Sequence, residues 1–355
     1  MDTPENIWII DTTLRDGAQS PGVCFRPEQR ILIAKMLAGA GVNELEAGIP
    51  IMGPDAMRDL MVINSLNLRS RITGWCRATK ADIEAAERCG LNSIHISFPV
   101  SERQLNVFNK ERGWVFDTLD VLIPFACKRF PYVSIGAQDT TRCNEDFLIK
   151  FVRLAKENGA YRIRLADTVG VSTPSNIYKL VSGIKASCDI EIEFHGHNDL
   201  GMASANALTA IEAGAGAISV TVNGLGERSG NVPFEQIAVI LHLSDKFTTS
   251  IDAGHIMNIC NYVANTTNRP IPPDRPVTGA NIFLHESGIH CAGLIKDPLS
   301  YQPYLPDAVG RKDFGFLLGR QSGSRAIMHM LGKAGIDITR DEAIRLKEVL
   351  YGKEG

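Results

Sequence analysis

The sequence has no run of basic residues, no continuous apolar segment long enough to span a bilayer, and no C-x-x-C pair. Its 37 Lys and Arg residues against 40 Asp and Glu give a formal net charge of -3, which argues against a nucleic-acid partner and against binding to an anionic membrane. The eight cysteines are scattered and have no framework spacing, as expected of reduced thiols. These absences predict a soluble, cytoplasmic protein with no membrane span.

What the sequence does contain is a regular alternation of short β-branched runs with longer amphipathic segments, which is typical of βα units around a parallel sheet. The eight candidate strands are 7–11, 43–47, 72–76, 93–98, 132–137, 162–166, 190–194 and 217–222. Candidate helices between them are 28–40, 80–89, 145–158, 174–186 and 203–213. Gly41, Gly90 and Gly159 follow helical segments where a left-handed cap is expected.

Eight such repeats predict the α/β fold class, as a (β/α)8 TIM barrel with a small helical C-terminal extension. No G-x-G-x-x-G follows the first strand, which argues against an open dinucleotide-binding sheet. We assign residues 1–265 to a catalytic barrel and 266–355 to a linker and C-terminal helical subdomain. The Pro-rich segment 268–276 is predicted to be the extended connector.

Catalysis in such barrels takes place where the strands end, because the loops there form the broad concave face. Many of the residues in or just after the last part of the predicted strands are polar. They are Asp11, Arg15, Asp16, Gln19, Glu46, Arg77, His95, Ser97, Gln138, Asp139, Asp167, Thr168, His195, His197, Asn223, Glu227 and Asn231.

His195 and His197 give the sharpest signal in this set. If the strand extends to His197, a period of two places both imidazoles on one face, where they can bind one ion. A carboxylate would complete a site for a divalent cation, and Asp16 is the better candidate. Asp11 competes, although it precedes the turn and could instead hydrogen-bond the backbone there.

Four motifs resemble the 2-isopropylmalate synthase and homocitrate synthase family, in the same order and over nearly the whole chain. They are Asp-Thr-Thr-Leu-Arg-Asp-Gly at 11–17, His-Gly-His-Asn-Asp at 195–199, Gly-Glu-Arg-Ser-Gly-Asn at 226–231 and His-Glu-Ser-Gly-Ile-His at 285–290. Segments 48–53 and 75–78 are most similar to the nitrogen-fixation type of homocitrate synthase. The resemblance implies a Claisen-type condensation of acetyl-CoA with a 2-oxo acid, in a chain that ends before any leucine-binding regulatory domain.

The resemblance implies that Asp16, His195, His197 and Asn231 bind a divalent metal (Mg2+, Mn2+ or Zn2+). Spacing alone does not single out Asn231, because a loop Asn after Gly-rich turns is usually a turn former. The metal would be chelated by the keto oxygen and carboxylate of the acceptor.

The resemblance also implies roles for three more residues near the barrel mouth. Arg15 would stabilise the negative charge that grows on the carbonyl oxygen, or else form a salt bridge at the barrel rim. Thr168 would bind the acceptor carboxylate, or else cap the next helix. Glu227 would position acetyl-CoA or a water, or else pair with Arg228.

The resemblance also implies that His290 removes a proton from the acetyl methyl group, assisted by Tyr301. Tyr304 is close enough in sequence to be an alternative to Tyr301, and His285 is expected to be structural. In relatives, the C-terminal unit reaches over the barrel of the partner subunit, so we predict a homodimer with sites completed in trans.

Three positions depart from the family pattern: Ala18, Gln138 and Gln321. Gln138 replaces a glutamate and cannot act as a base, yet it can still hydrogen-bond. Ser134 stands near the position where lysine-pathway homocitrate synthases carry an arginine. These departures predict that the enzyme uses a different acceptor, or that the surroundings of His290 differ from those in the family.

The identity of the acceptor depends on which residues contact the end of the molecule that is farthest from its 2-oxo group. Arg77, His95 and Arg142 are candidates for an anionic end, and Ser97 and Ser101 add polarity beside His95. The predicted substrate-binding set is Arg15, Gln19, Arg77, His95, Ser97, Gln138 and Thr168. The leading acceptor is 2-oxoglutarate, giving homocitrate; phosphonopyruvate, oxaloacetate, pyruvate and 2-oxoisovalerate are alternatives.

Two other classes of function compete with the condensation. A metal-dependent lyase or aldolase would resemble 3-hydroxy-3-methylglutaryl-CoA lyase, whose relatives carry a reactive Cys in a glycine-rich loop, and none of the eight cysteines has that setting. A non-catalytic paralogue that binds metal or CoA would explain Ala18, Gln138 and Gln321.

Overall fold

The computed structural model describes residues 4–312 and 314–352. They form two compact units. The first comprises the residues up to Asp252 together with Ile259–Pro270, and the second comprises Ala253–Asn258 together with the residues from Ile271 onward. The domain boundary predicted at 265–266 falls inside a helix, Ile256–Thr267.

The first unit is a closed barrel of eight parallel strands, which confirms the predicted TIM-barrel fold. The barrel strands are β2 (Trp8–Asp11), β3 (Glu44–Gly48), β4 (Arg71–Arg77), β5 (Ser93–Pro99), β6 (Tyr132–Gln138), β7 (Arg162–Asp167), β8 (Glu191–Gly196) and β9 (Ala217–Val220). Every predicted strand agrees with an observed one to within two residues at each end. A two-residue strand, β1 (Glu5–Asn6), pairs outside the barrel with β10 (Phe247–Thr248).

The helices of this unit connect the strands. They are α1 (Pro27–Gly39), α2 (Pro54–Ser65), α3 (Lys80–Arg88), α4 (Glu102–Val107), α5 (Arg112–Cys127), α6 (Glu145–Glu157), α7 (Pro174–Ser187), α8 (Ala203–Glu212) and α9 (Phe234–His242), followed by α10 (Ile256–Thr267), which both units share. Gly41, Gly90 and Gly159 have φ values of +93°, +69° and +101°, so the predicted left-handed caps are confirmed. Asn144 begins α6 because its side chain accepts a hydrogen bond from the Phe147 backbone NH.

The two faces of the barrel strands differ in chemistry. Alternate residues such as Ile94, Ile96 and Phe194 are buried and apolar. The residues between them carry charges that meet across the barrel: Arg162 on β7 donates to Glu44 on β3, a strand that is not its neighbour. The apolar residues therefore face the helices, and the lumen is polar.

Five buried residues in the lumen form an interior ion ladder: Glu44, Glu46, Arg162, Arg164 and Glu193. Arg162 lies 2.9 Å from Glu44 and 3.0 Å from Glu193. Arg164 lies 2.6 Å from Glu193 and 2.7 Å from Glu46. Burial alone would raise the pKa of the Glu46 carboxyl, but Arg15 and Arg164 outweigh it and hold that pKa well below its ordinary value.

The second unit contains a parallel pair of short strands, β11 (Leu284–His285) and β12 (Gly315–Phe316), and the helices α11 (Gly288–Lys296), α12 (Ser324–Lys333) and α13 (Arg340–Tyr351). Cys291, Leu294, Phe316 and Ala326 form its apolar core. The predicted C-terminal helical extension is thus confirmed. Among the described residues, no helix combines the length and the apolar character needed to cross a membrane.

Candidate metal and substrate site

Asp16, His195 and His197 converge at the end of the barrel where the strands terminate. Asp16 follows β2, His195 lies in β8, and His197 lies one residue beyond β8. His195 Nε2 is 3.1 Å and His197 Nε2 is 3.9 Å from Asp16 Oδ2. All three side chains are buried, and one potential ligand atom from each lies within 4.8 Å of the other two.

The strand does not extend to His197, so the condition under which a period of two places both imidazoles on one face of the strand is not met. The strand ends at Gly196, and His197 instead forms an isolated antiparallel bridge with Asn231. The His197 backbone NH also donates to the Asp167 carbonyl at 3.3 Å. The bridge keeps the second imidazole beside the first, at a ring-centroid distance of 5.3 Å.

Asp16, and not Asp11, accompanies the two imidazoles. Asp11 accepts hydrogen bonds from the Thr13 backbone NH at 2.9 Å and from the Thr13 hydroxyl at 3.0 Å, so it closes the turn. Burial raises the pKa of the Asp11 carboxyl to about 7. At Asp16 burial acts in the same direction, but Arg15 and then His195 outweigh it and keep the pKa well below its ordinary value.

The residues present fit a divalent cation. Asp16 Oδ2, Nδ1 of both imidazoles and Asn231 Oδ1 are buried with no hydrogen-bond partner among the described residues. The Asn231 amide is oriented by a 3.0 Å hydrogen bond from Nδ2 to the Leu225 carbonyl, which leaves Oδ1 available. Burial, followed by His195, lowers the pKa of His197 to about 4, so this ring is neutral at pH 7 and its lone pair is free for a metal.

A cavity of about 250 Å3 lies at this site. Ten of the residues singled out from the sequence line it: Arg15, Asp16, Gln19, His95, Ser97, Gln138, Thr168, His195, His197 and Glu227. Six further residues complete the lining: Trp75, Gly136, Ala137, Arg164, Ala166 and Arg228. The cavity is thus bounded by side chains from most of the barrel strands.

Arg15 is held rigidly at the edge of the cavity. Its Nε and Nη2 both lie 2.5 Å from Glu46 Oε1, and Nη1 lies 3.3 Å from Asp16 Oδ1. The guanidinium also sits 5.7 Å from the centroid of the Trp75 ring. Glu46 in turn belongs to the interior ion ladder, so the ladder fixes the position of Arg15.

Arg77 and Arg142, which were candidates for the far end of the acceptor, are engaged elsewhere and do not line the cavity. Arg77 makes two side-chain hydrogen bonds of 3.0 Å to Asp82 at the start of α3. Arg142 makes two hydrogen bonds, of 2.7 and 2.6 Å, to Asp139. Each guanidinium therefore already has a carboxylate partner.

Two of the alternatives raised for loop residues do not occur. Thr168 does not cap α7, whose N-cap is Thr173; its hydroxyl instead accepts a hydrogen bond from the Asp139 backbone NH at 2.8 Å. Arg228 pairs with Asp199 at 2.8 Å and not with Glu227. Thr168 and Glu227 are left facing the cavity.

His95 is a neutral, positioned side chain. Its Nδ1 lies 2.8 Å from the Ser134 hydroxyl. Burial, and then the nearby Arg164, lower the pKa of His95 well below its ordinary value. His95 can therefore donate or accept a hydrogen bond in the cavity, but it does not supply a positive charge.

Arg164 and Trp75 line the cavity although neither was predicted to do so from the sequence. The available signal was the repeat of Arg162 and Arg164 in a strand whose other residues are Ile, Leu, Ala and a final Asp. Two arginines spaced by two in a buried strand require partners on the same face. Those partners, Glu46 and Glu193, also stand inside predicted strands.

His290 lies in the second unit, on α11, and its ring stacks on Tyr301 with a centroid distance of 4.3 Å. Tyr304 instead packs on Phe283 at 5.7 Å. His285 Nε2 lies 3.4 Å from Gln302 Nε2, and burial followed by His290 lowers the pKa of His285. Of the two tyrosines, Tyr301 is the one in contact with His290.

Comparison with known proteins identifies the family. Residues 6–263 match the family model described as HMGL-like, and residues 277–350 match the one described as homocitrate synthase post-HMGL domain-like. The chain is 41% identical to 2-isopropylmalate synthase 2 of Caldanaerobacter subterraneus subsp. tengcongensis, with 98% of this chain and 94% of the relative covered. It is 38% identical to homocitrate synthase 1 of Nostoc sp., with 98% and 95% covered.

Solved structures agree with the fold. The crystal structure of the Bacillus subtilis HMG-CoA lyase superposes with a TM-score of 0.70 at 20% identity, over 78% of this chain and 98% of that one. At this identity the similarity shows the barrel fold alone. The relatives named above carry the assignment: the chain is an enzyme that belongs to the 2-isopropylmalate synthase and homocitrate synthase family.

Proposed function

We propose that this enzyme condenses acetyl-CoA with a 2-oxo acid at a divalent cation held by Asp16, His195, His197 and Asn231. The observation that carries the proposal is the convergence of Asp16, His195 and His197, with one potential ligand atom of each within 4.8 Å of the other two. The buried Oδ1 of Asn231, which has no hydrogen-bond partner among the described residues, supports it. The names of the relatives, which are synthases of isopropylmalate and homocitrate, support the same class of reaction.

A divalent cation bound there would supply Lewis-acid polarisation of the acceptor's keto group. The chain's own residues would do the rest of the work at the acceptor. Arg15, fixed by Glu46, directs a permanent charge towards the oxygen on which negative charge grows. Thr168, Gln19 and Gln138 line the cavity as uncharged hydrogen-bonding groups for the acceptor's first carboxylate.

His290 is proposed as the base that takes a proton from the acetyl methyl group, with Tyr301 stacked against its ring to hold it. The methyl carbon then forms the new bond to the keto carbon. As the C=O π bond opens, the keto oxygen receives its electron pair and takes up a proton, and so becomes the hydroxyl of the product. Hydrolysis of the thioester, at a water positioned by Glu227, releases CoA as the free thiol. We propose that His290 and Tyr301 act in the site of a second copy of the chain, in a homodimer.

The leading acceptor remains 2-oxoglutarate, with homocitrate as product. A lyase that uses a reactive cysteine is not supported, because all eight cysteines are in the described ranges and none lines the cavity. Cys143, which follows β6, has a thiol pKa raised to about 12, chiefly by burial, and is therefore protonated.

The test is release of the CoA thiol from acetyl-CoA in the presence of Mg2+ or Mn2+ and a panel of 2-oxo acids. We expect turnover with at least one acceptor, and a loss of about a hundredfold or more in His290→Ala. No thiol release with any acceptor would overturn the proposed reaction. Full activity in His290→Ala would overturn the role of that residue.

The metal ligands are tested by direct binding of Mn2+ to the purified protein. Asp16→Asn should lose metal binding, because the amide removes the charge of the anionic ligand. Asp11→Asn is the matched control. Asp11 is a buried aspartate at the end of β2, hydrogen-bonded to Thr13, and the variant should bind Mn2+ as the wild type does. Equal binding by Asp16→Asn and the wild type would contradict the ligand set.

A further inference from the structure

Arg164 is a charged residue at the cavity that the proposed reaction does not yet use. It lies in β7, is 3% exposed, and lines the cavity. Its Nε donates to Glu193 and its Nη2 donates to Glu46. No described residue accepts a hydrogen bond from Nη1, so one end of the guanidinium is available.

Each carboxylate partner of Arg164 is shared with a second guanidinium group. Glu46 also pairs with Arg15, and Glu193 also pairs with Arg162 and accepts from Ser219. At the far end of the ladder, Glu44 is shared by Arg162 and Arg71. The four connected guanidinium groups (residues 15, 71, 162 and 164) are matched by four carboxylates (residues 16, 44, 46 and 193), and one of these, Asp16, is the proposed ligand of the cation.

Arg164 keeps its charge despite burial. Burial would lower its pKa, but Glu193 and Glu46 outweigh this and raise the pKa above its ordinary value. A buried, permanently charged guanidinium with a free donor is a strong site for an anionic oxygen, because hydrogen bonds from Arg to such oxygens are charge-assisted.

The neighbouring strands add two neutral donors on the same wall. Ser97, Gly136 and Arg164 are in register on β5, β6 and β7. Gly136 leaves this wall open: a Cβ there would collide with His95 Nε2 and would come within 3.2 Å of Ser97 Oγ. The imidazole edge and the hydroxyl thus occupy the space that a side chain at position 136 would fill, next to Arg164.

We propose that Arg164, with His95 and Ser97, binds a second anionic group of the acceptor and so determines specificity for 2-oxo acids that carry two anions. This rests on the proposed function, since it assumes that the 2-oxo end of the acceptor lies at the cation site. The second group is a carboxylate or a phosphonate, which present the same kind of oxygen to the wall. Arg77 and Arg142 do not line the cavity, and so they are not placed to take this role.

The test compares kcat/KM for two-anion acceptors (2-oxoglutarate, oxaloacetate and phosphonopyruvate) with that for one-anion acceptors (pyruvate and 2-oxoisovalerate). The wild type should prefer the two-anion class, and Arg164→Gln should lower the two-anion to one-anion ratio by about thirtyfold or more. The three two-anion acids, which differ in length and in the distal group, show whether carboxylate or phosphonate is preferred.

Arg162→Gln is the matched control. Arg162 lies two residues earlier on the same face of the same strand and shares Glu193, but it does not line the cavity. Both variants lose one ladder charge, so general damage to the barrel should lower both classes of acceptor together in either protein. Only Arg164→Gln should change the ratio. If neither variant folds, Ser97→Ala, which removes one neutral donor from the wall, should still lower the ratio about threefold.

Acceptor binding to the Mn2+-loaded protein, measured by calorimetry without acetyl-CoA, separates this inference from the proposed reaction. Tight binding of two-anion acids that weakens in Arg164→Gln, without thiol release in the wild type, would support the inference and overturn the reaction. Preference of the wild type for one-anion acids, or an unchanged ratio in Arg164→Gln, would overturn the inference and leave the reaction standing. Failure of every acid to bind would overturn both.

Discussion

Asp11 makes the stability of the folded chain depend on pH. Its pKa is raised to about 7 in the folded state, chiefly by burial, against an ordinary value of 3.8. Between these values the folded chain holds one proton more than the unfolded chain at this carboxyl. The free energy of unfolding therefore falls as pH rises from about 4 to about 7.

Asp11→Asn should remove this dependence, because the amide is neutral and its oxygen can still accept from the Thr13 backbone NH. We expect the stability of the variant relative to the wild type to increase from pH 5 to pH 7.5. Urea denaturation of both proteins at the two pH values measures it. A difference that does not change with pH would show that Asp11 is ionised throughout.

At the residue scale, the sequence was informative where the chemistry follows from local spacing. His195 and His197 were found because two imidazoles two positions apart share a face of a strand, and the structure brings them together with Asp16. Arg164 was missed because its position at the cavity depends on closure of the barrel. Closure brings Glu46, 118 residues away in sequence, to its guanidinium.

The helix that follows β2 supplies a test of backbone geometry. Gly41, two residues beyond the end of α1, has φ +93°, and a Cβ there would collide with the Ser250 carbonyl oxygen. Gly41→Ala should therefore destabilise the fold by about 2–4 kcal/mol. Thermal or urea denaturation measures the change.

Gly39 is the control within the same segment. It is the last residue of α1 and is exposed, and a Cβ added there would meet no heavy atom within 4 Å outside its own helix and its chain neighbours. Gly39→Ala should stabilise the fold by about 0.5–1 kcal/mol, because alanine loses less conformational entropy in a helix. The same sign for both substitutions would contradict this account.

At the element scale, the barrel strands were predictable because one face of each packs apolar side chains against helices, as Ile94 and Ile96 do. The strands β1 and β10 were not predicted, because two residues are too few to show the alternation of apolar and polar side chains by which strands are recognised. The extension of β8 to His197, which would place both imidazoles on one face of the strand, does not occur, because β8 ends at Gly196. His197 leaves the strand because the loop containing Asn231 folds back and bridges to it, a contact between distant segments.

The interior ion ladder contributes to the stability of the whole barrel. Glu193 bridges Arg162 and Arg164 with both carboxylate oxygens and is fully buried. Glu193→Gln keeps the shape but leaves two buried guanidinium groups short of a counter-charge. We expect a loss of about 3–5 kcal/mol in the free energy of unfolding.

An exposed ion pair provides the comparison. Asp55 pairs with Arg58 at 2.9 Å, with the two side chains 91% and 71% exposed. Asp55→Asn should change the free energy of unfolding by no more than about 0.5 kcal/mol. A cost for Glu193→Gln as small as that for Asp55→Asn would mean that the ladder is not a stabilising network.

At the scale of the molecule, the sequence predicted the barrel and the helical extension because eight regular repeats allow few other folds. It did not predict a charged lumen. Each charge of the ladder, such as Glu44 or Arg162, looks like an isolated polar residue within its own strand. Their role as ion-pair partners becomes evident only when the closed barrel brings them together across the lumen.

A lumen of paired charges also shapes how this protein responds to temperature. Unfolding exposes ionic groups from the lumen instead of hydrocarbon, and polar exposure lowers the heat capacity increment whereas apolar exposure raises it. Hydration of ions also becomes less favourable on heating, so separating these pairs grows harder as the temperature rises. The charged lumen therefore makes the free energy of unfolding change less steeply with temperature. The apolar layer beneath the helices determines the maximum value of that free energy.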